Sequence, residues 1–162
     1  MQELIRESES LNIRLEMMGG LGVWEASPAF FHQWEVDRIR SSIRPVTTAC
    51  GCVHVADVLF TFADGSFKRP DIAILCELPS PLDTDEELNI TPGAVIEIIS
   101  KNYEYKDLVL SPPFYLSNGV KDILIFDPRS KVILHHRKEW TEPKQFSSPA
   151  RFELECGCEV TI

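Results

Sequence analysis

The stretches Arg69-Pro70-Asp71-Ile72-Ala73-Ile74-Leu75 and Pro92-Gly93-Ala94-Val95-Ile96-Glu97-Ile98-Ile99-Ser100 decide how this chain is read. Each holds a run of apolar, mostly branched residues, Ile72 to Cys76 and Ala94 to Ile99, too short for a helix and without polar alternation. Central strands buried on both faces have this pattern. Each stretch also carries one carboxylate, Asp71 just before the first run and Glu97 inside the second. A carboxylate in a buried strand is costly unless a cation accompanies it, and two on neighbouring strands repel each other. A divalent metal between them relieves both problems. Magnesium takes one or two carboxylates and completes its octahedron with water and substrate phosphate. There it polarises a phosphodiester and generates hydroxide near neutral pH. The competing reading pairs each carboxylate with an arginine or lysine, or turns it to water at a strand edge.

Outward from these strands the pattern is mixed. Residues 2–10 read as a short helix, Ile13 to Met17 as a strand, Gly19-Gly20 as a turn, and Leu21 to Glu25 as the returning strand of a hairpin. Ser27-Pro28 reads as an N-cap followed by a proline at the first helical position, opening a helix to about Ser42. Phe30, Phe31, Trp34, Ile39 and Ile43 then form its apolar stripe, read as core. Short β segments follow over Cys50 to Ala56 and Val58 to Phe62, with a turn at Asp64-Gly65. Ser111-Pro112-Pro113 reads as a second cap, opening a helix from Pro112 to Asn118 that Gly119 ends. Asp122 to Phe126 and Val132 to His136 read as a hairpin around Asp127-Pro128, and Phe152 to Val160 supplies further strand. At least one strand–helix–strand crossover is implied, which makes a mixed α/β (α+β) sheet domain. The length of 162 residues fits a single domain over 1–162.

Composition narrows the function. The formal net charge is -9, from 16 basic and 25 acidic side chains, and part of the excess lies in Asp83, Asp85, Glu86 and Glu87, read as a solvated loop. Affinity for nucleic acid rests on neutralising phosphates, so a nucleic-acid role needs a local basic strip or a bound cation. No apolar run is long enough to span a membrane, and the mixed, charged start lacks the apolar core of a signal peptide, so the cytoplasm is the expected compartment. Of five cysteines, four sit in two Cys-Gly-Cys triplets, Cys50/Cys52 and Cys156/Cys158. The leading reading makes them small apolar strand residues, with glycine marking a bulge or turn. A thiolate zinc site and a disulfide are the alternatives, and a reducing cytosol weighs against the latter.

Taken together, residues 69–75, 92–100 and 115–128 (Tyr115-Leu116-Ser117-Asn118-Gly119-Val120 through Asp127-Pro128) resemble the Uma family of restriction-endonuclease-like proteins, within the PD-(D/E)XK nuclease superfamily. The order is a Pro-Asp opening a strand, a Pro-x-x-x-x-Glu strand ending in Ser, a Tyr…Gly-Val helix end, and a strand ending Asp-Pro. Leu15-Glu16, Gly19-Gly20, Ser27-Pro28 and His32 fall where the family has a Glu, a Gly-containing hairpin, a Pro and a His. The resemblance implies a restriction-endonuclease-like mixed central sheet flanked by helices, and Mg²⁺- or Mn²⁺-dependent cleavage of DNA by a homodimer. Asp71 and Glu97 become the metal-binding pair, the Ile98 carbonyl a further ligand, and Glu16 a further acidic member, with Glu25 its rival.

The chain departs from this pattern in lacking one expected lysine. The superfamily has a lysine beside the second carboxylate, whose cationic head orients the attacking water and steadies developing negative charge. Two residues after Glu97 stands Ile99. The family's displaced position, four residues before the tyrosine, is Ser111. Lys101 is therefore the leading candidate for the missing catalytic cation, and Lys106 the second. Three functions remain open at this point: a metal-dependent DNA endonuclease using Asp71, Glu97 and Lys101, a non-catalytic descendant that binds or assembles, and, behind these, a zinc-binding protein built on the two Cys-Gly-Cys pairs.

Overall fold

A computed structural model of the chain describes residues 2–11, 13–25, 27–79 and 88–162. The acidic run Asp83 to Glu87 lies outside the described residues. A six-stranded sheet forms the centre, in the order β11(Lys144–Ser147), β10(Val132–Arg137), β9(Asp122–Asp127), β8(Ala94–Ile98), β7(Ile72–Leu75), β4(Val53–Val55). The β8–β9 pair is parallel and every other pair in this sheet is antiparallel. A four-stranded sheet, β2(Leu21–Glu25), β1(Arg14–Met18), β6(Phe67–Lys68), β5(Phe60–Thr61), follows α1(Gln2–Ser10). The third sheet has three strands, β12(Arg151–Glu153), β13(Cys158–Thr161) and β3(Arg44–Pro45).

Both faces of the central sheet are covered, as the unbroken apolar runs require. On one side Ile72, Ile74, Ile96, Ile98 and Leu124 pack with Val36 and Ile39 of α2(Phe30–Arg40) and with Phe152 and Val160 of the small sheet. On the other, Ala73, Leu75, Val95 and Ile125 meet Phe114 and Tyr115 of α3(Ser111–Ser117) and Phe60 of β5. Glu97 shares its face with Val95, so it is directed among the second set.

Three sequence expectations are corrected. The helix expected from Ser27-Pro28 starts at Phe30, with Ala29 as an extended N-cap that makes no side-chain cap bond. Its apolar residues do not form one core stripe: Phe30 is 82% exposed and Trp34 60%, whereas Val36 and Ile39 are buried. At about 100° per residue, positions 30 and 34 lie on the side of the helix opposite 36, 39 and 43. His32 falls on the buried side with Val36 and Ile39, which aims it at the end of β7.

The second correction concerns Ser111, which is not a cap. The helical turn begins at residue 104, passes through a π-helical segment, Lys106–Leu110, and continues into α3. Ser111 donates its backbone N–H to the Lys106 carbonyl, and its buried hydroxyl has no partner among the described residues. A proline inside a helix lacks the N–H of its turn and its ring presses on the carbonyl four residues back. Widening the turn just upstream of Pro112-Pro113 accommodates that ring while the chain stays helical.

The third concerns the cysteines. Cys52 and Cys158 are joined in a disulfide, and of the rest only Cys50 is fully buried. The two Cys-Gly-Cys triplets lie at turns that bring distant segments together, rather than along continuous strands. Only Cys158 falls within a strand.

At the start of β9, the fully buried Asp122 carboxylate accepts from His135 Nε2 at 2.7 Å, Arg137 Nε at 2.5 Å and the Glu155 N–H at 2.7 Å. Burial opposes its ionisation, but these three donors outweigh burial and hold its pKa below the usual carboxylate range. A carboxylate with a depressed folded pKa contributes stability that is present above its unfolded pKa and lost as pH falls through the folded value. Asp122→Asn is expected to cost about 2–3 kcal/mol at neutral pH. In urea unfolding the gap to wild type should close as pH drops below about 4, the unfolded pKa range. A gap that stays constant down to acid pH would show that the charge contributes nothing.

Candidate active site

The antiparallel register pairs Ile72 with Ile96, and its next step sets Asp71 opposite Glu97. Residues opposite each other across an antiparallel pair project to the same face. The two acids are also tied through each other's backbone: the Asp71 N–H donates to Glu97 Oε2 at 3.1 Å, and the Ile98 N–H donates to Asp71 Oδ2 at 2.7 Å. The other Asp71 oxygen lies 2.9 Å from His32 Nε2, and His32 Nδ1 lies 3.0 Å from Ser100 Oγ. Burial lowers the His32 pKa, but the Asp71 carboxylate outweighs burial and raises it, favouring the imidazolium.

Glu97 is almost fully buried, and its Oε1 accepts from Lys68 Nζ at 2.7 Å and Tyr115 Oη at 2.6 Å. Lys68 is fully buried and reaches Glu16 Oε2 at 3.3 Å as well. Glu16 also accepts the Arg69 N–H at 2.8 Å and lies 3.5 Å from Lys106 Nζ. Lys68 therefore bridges β1 of the four-stranded sheet to β8 of the six-stranded one. Burial works against its charge, but Glu16 and Glu97 outweigh burial and lift its pKa well above the ordinary value. The Glu97 pKa is pushed up to about 7, first by burial and then by the negative charges of Asp71, Asp107 and Glu16, against the pull of Lys68. Burial acts the same way on Glu16, but there Lys68 and Lys106 prevail and its pKa is lowered.

A cavity of about 370 Å³ opens over this end of the sheet, lined by Asp71, Ile98, Lys101, Lys106 and Asp107, with Arg14 and Arg129 among its other walls. Ser27, Pro28 and the extended Ala29, which precede α2, also line it. The buried Asp107 Oδ1 lies 3.4 Å from Lys106 Nζ, and among the described residues it receives no hydrogen bond. Burial and the neighbouring Asp71 raise the Asp107 pKa despite Lys106 and Lys68.

Of the residues singled out from sequence, Asp71, Ile98 and Lys101 line the cavity, while Glu97 and Glu16 lie beneath it in the buried ion cluster. Lys101 is exposed and joins no carboxylate in an ion pair among the described residues, whereas Lys106 is buried against Glu16 and Asp107. The side chain of Glu25 is not among those described. Sequence reading missed Lys68, Asp107 and the hydrogen bond from Tyr115. Lys68 lies immediately before Arg69-Pro70-Asp71, and its one signal is a lysine next to Phe67 in a short strand. Ser111 is one helical turn before Tyr115. The ammonium that reaches the oxygen shared by Glu97 and Tyr115 is that of Lys68, on β6.

Lys68→Met would leave Glu16 and Glu97 buried without their shared cation, a change expected to cost about 3–5 kcal/mol. The double substitution Lys68→Met/Glu97→Gln should recover part of that loss in chemical denaturation. Equal stability of the single variant and wild type would show that the buried cluster contributes no net stabilisation.

A family model described as "Putative restriction endonuclease" (Uma2) matches residues 3–160. None of the curated proteins compared with the chain matches it. A solved structure described as a putative nuclease belonging to DUF820, from Anabaena variabilis, superimposes with a TM-score of 0.62 at 19% identity, covering 84% of this chain and 78% of that one. At that identity the likeness speaks for the fold alone, a restriction-endonuclease-like mixed sheet. No described helix is long and apolar enough to cross a membrane.

Proposed function

The chain belongs to the Uma2 family of restriction-endonuclease-like proteins, and from that premise we propose that it is a metal-dependent endonuclease hydrolysing DNA phosphodiester bonds. The observation that carries the proposal is the facing pair Asp71 and Glu97, cross-linked through the Asp71 and Ile98 N–H groups, with Asp71 lining a cavity and Glu97 directly beneath it. The donor set fits a hard divalent cation: carboxylate oxygens, Ile98 in the cavity lining, and in Asp107 a buried oxygen that accepts no hydrogen bond among the described residues. Asp71 and Glu97 would hold Mg²⁺ or Mn²⁺, with the Ile98 carbonyl and Glu16 as supporting ligands. Bound there, the ion would supply Lewis-acid polarisation of a phosphodiester and a hydroxide near neutral pH.

The protein's own groups have separable roles. Lys68 orients Glu97 and opposes the rise of its pKa, and Tyr115 fixes the same oxygen from α3. His32, backed by Ser100, orients Asp71. Lys106 is held against the cavity by Glu16 and Asp107, and we assign it contact with the phosphate. Lys101, exposed at the rim, serves as a longer-range attraction for the DNA backbone. Arg14 and Arg129 also line the cavity, each paired with a carboxylate, Asp57 and Glu104, so a chain of net charge -9 would rely on the bound cation together with Lys106 and Lys101 to approach a polyanion.

The test is a plasmid-nicking assay with Mg²⁺ and with Mn²⁺, beside thermal unfolding with and without the ions. Wild type should nick DNA only with metal, and either ion should raise the melting temperature. Asp71→Ala and Glu97→Ala should abolish both responses. Lys106→Ala should cut the rate by about 100-fold, the scale of one lost electrostatic donor, and Lys101→Ala far less. Metal stabilisation without nicking would identify a non-catalytic, metal-binding descendant. Absence of both responses would sink the metal-site reading.

A further inference from the structure

All five cysteines of the chain converge at the end of the sheet opposite the acidic cluster. Cys50 and Cys52 precede β4, Cys76 follows β7, and Cys156 and Cys158 flank the turn into β13. The sulfurs of Cys50, Cys52 and Cys158 lie within 4.8 Å of one another, and Cys50 Sγ is 3.5 Å from Cys158 Sγ. Cys76 follows β7 beside this group, and Cys156 stands two residues before Cys158. Cys76 Sγ also donates to the Cys156 carbonyl at 3.7 Å. Two glycines permit the approach. A Cβ at Gly51 would stand 3.1 Å from the Cys76 carbonyl oxygen, and one at Gly93 would stand 3.0 Å from Cys156 Cβ. A packing role for small apolar residues does not require all five cysteines, drawn from three separate segments, to gather at one end of the sheet with three of their sulfurs within ligand distance of one another.

We propose that this cluster is a structural zinc site, with Cys50, Cys52 and Cys158 as thiolate ligands and Cys76 or Cys156 as the fourth, and that the Cys52–Cys158 disulfide is its oxidised, metal-free form. Thiolates around tetrahedral zinc at about 2.3 Å stand roughly 3.8 Å apart, close to the spacing already present between Cys50 and Cys158. Reduction of the disulfide by two electrons and two protons gives two thiols, and zinc displaces the thiol protons on binding. In the reverse direction a small-molecule disulfide accepts the two electrons from Cys52 and Cys158 and leaves as two thiols, while the zinc ion departs. The site clamps the turn before β13 to the ends of β7 and β4. It lies roughly 16 Å along β7 from Asp71, so it is separate from the proposed catalytic ion.

The experiment measures zinc and titratable thiols on the full chain after exposure to zinc with a thiol reductant and removal of unbound metal. The expected result is one zinc per reduced chain, with Co²⁺ giving the intense visible absorption of a tetrahedral thiolate site. Oxidised glutathione should release the zinc in step with the loss of the Cys52 and Cys158 thiols. Asp71→Ala should keep its zinc, which separates this site from the acidic one. Cys50→Ser and Cys158→Ser should lose it, and the wild-type redox titration decides the matter if either variant fails to fold. The proposal is overturned if the reduced chain, with all its thiols titratable, holds no more zinc than the oxidised chain. It is equally overturned if zinc survives oxidation or both serine substitutions.

Discussion

The buried ammonium of Lys68 is the interaction on which the rest of the molecule turns. It lies between Glu16 on β1 and Glu97 on β8 and so adds a charged link between the four-stranded and six-stranded sheets to the apolar contact that Phe60 and Met18 make. Without it two carboxylates would be buried in an apolar layer, a cost of several kcal/mol each. With it, Glu97 is held from the Lys68 and Tyr115 side and Asp71 is held from the Ile98 and His32 side. The acidic pair is therefore set by the packing of whole sheets, and no loop has to be ordered to assemble it.

The pattern of the sequence carried the central sheet well. Ile72 to Leu75 and Ala94 to Ile98 are strands buried on both faces, and the β9–β10 hairpin closes where Asp127-Pro128 sits. Asp71 and Glu97 were legible because a carboxylate inside an apolar run is conspicuous. Lys68 was not, because a lysine in a two-residue strand resembles any surface lysine until the sheet that buries it is in place. The aromatic residues of α2 misled for a related reason: apolar character was counted without its angle, and Phe30 and Trp34 fall on the solvent side. The cysteines were misread because spacing in the chain says little about convergence in space when the partners lie 106 residues apart, as Cys52 and Cys158 do.

Strand β7 links two different chemistries. At its entrance are hard oxygen donors, cations and a cavity; at its exit are soft sulfur donors and tight glycine turns. Its four residues are all buried, so neither end can be displaced without moving the core. The arrangement keeps the two donor sets apart, which matters because soft and hard ligands favour different ions.

The π-helical turn at Lys106–Leu110 has a consequence for how such a site diversifies. One additional residue in a helical turn rotates the upstream side chains by about 100° relative to those of the downstream helix. Here that rotation lets Lys106 and Asp107 face the cavity while Phe114 and Tyr115 keep their seats in the core. A single-codon deletion within the turn would restore ordinary helical winding and swing the lysine and aspartate away, leaving the hydrophobic interior intact. Insertions and deletions of one residue in this segment are thus a route by which lineages sharing this fold could exchange the cation over the cavity without rebuilding the scaffold.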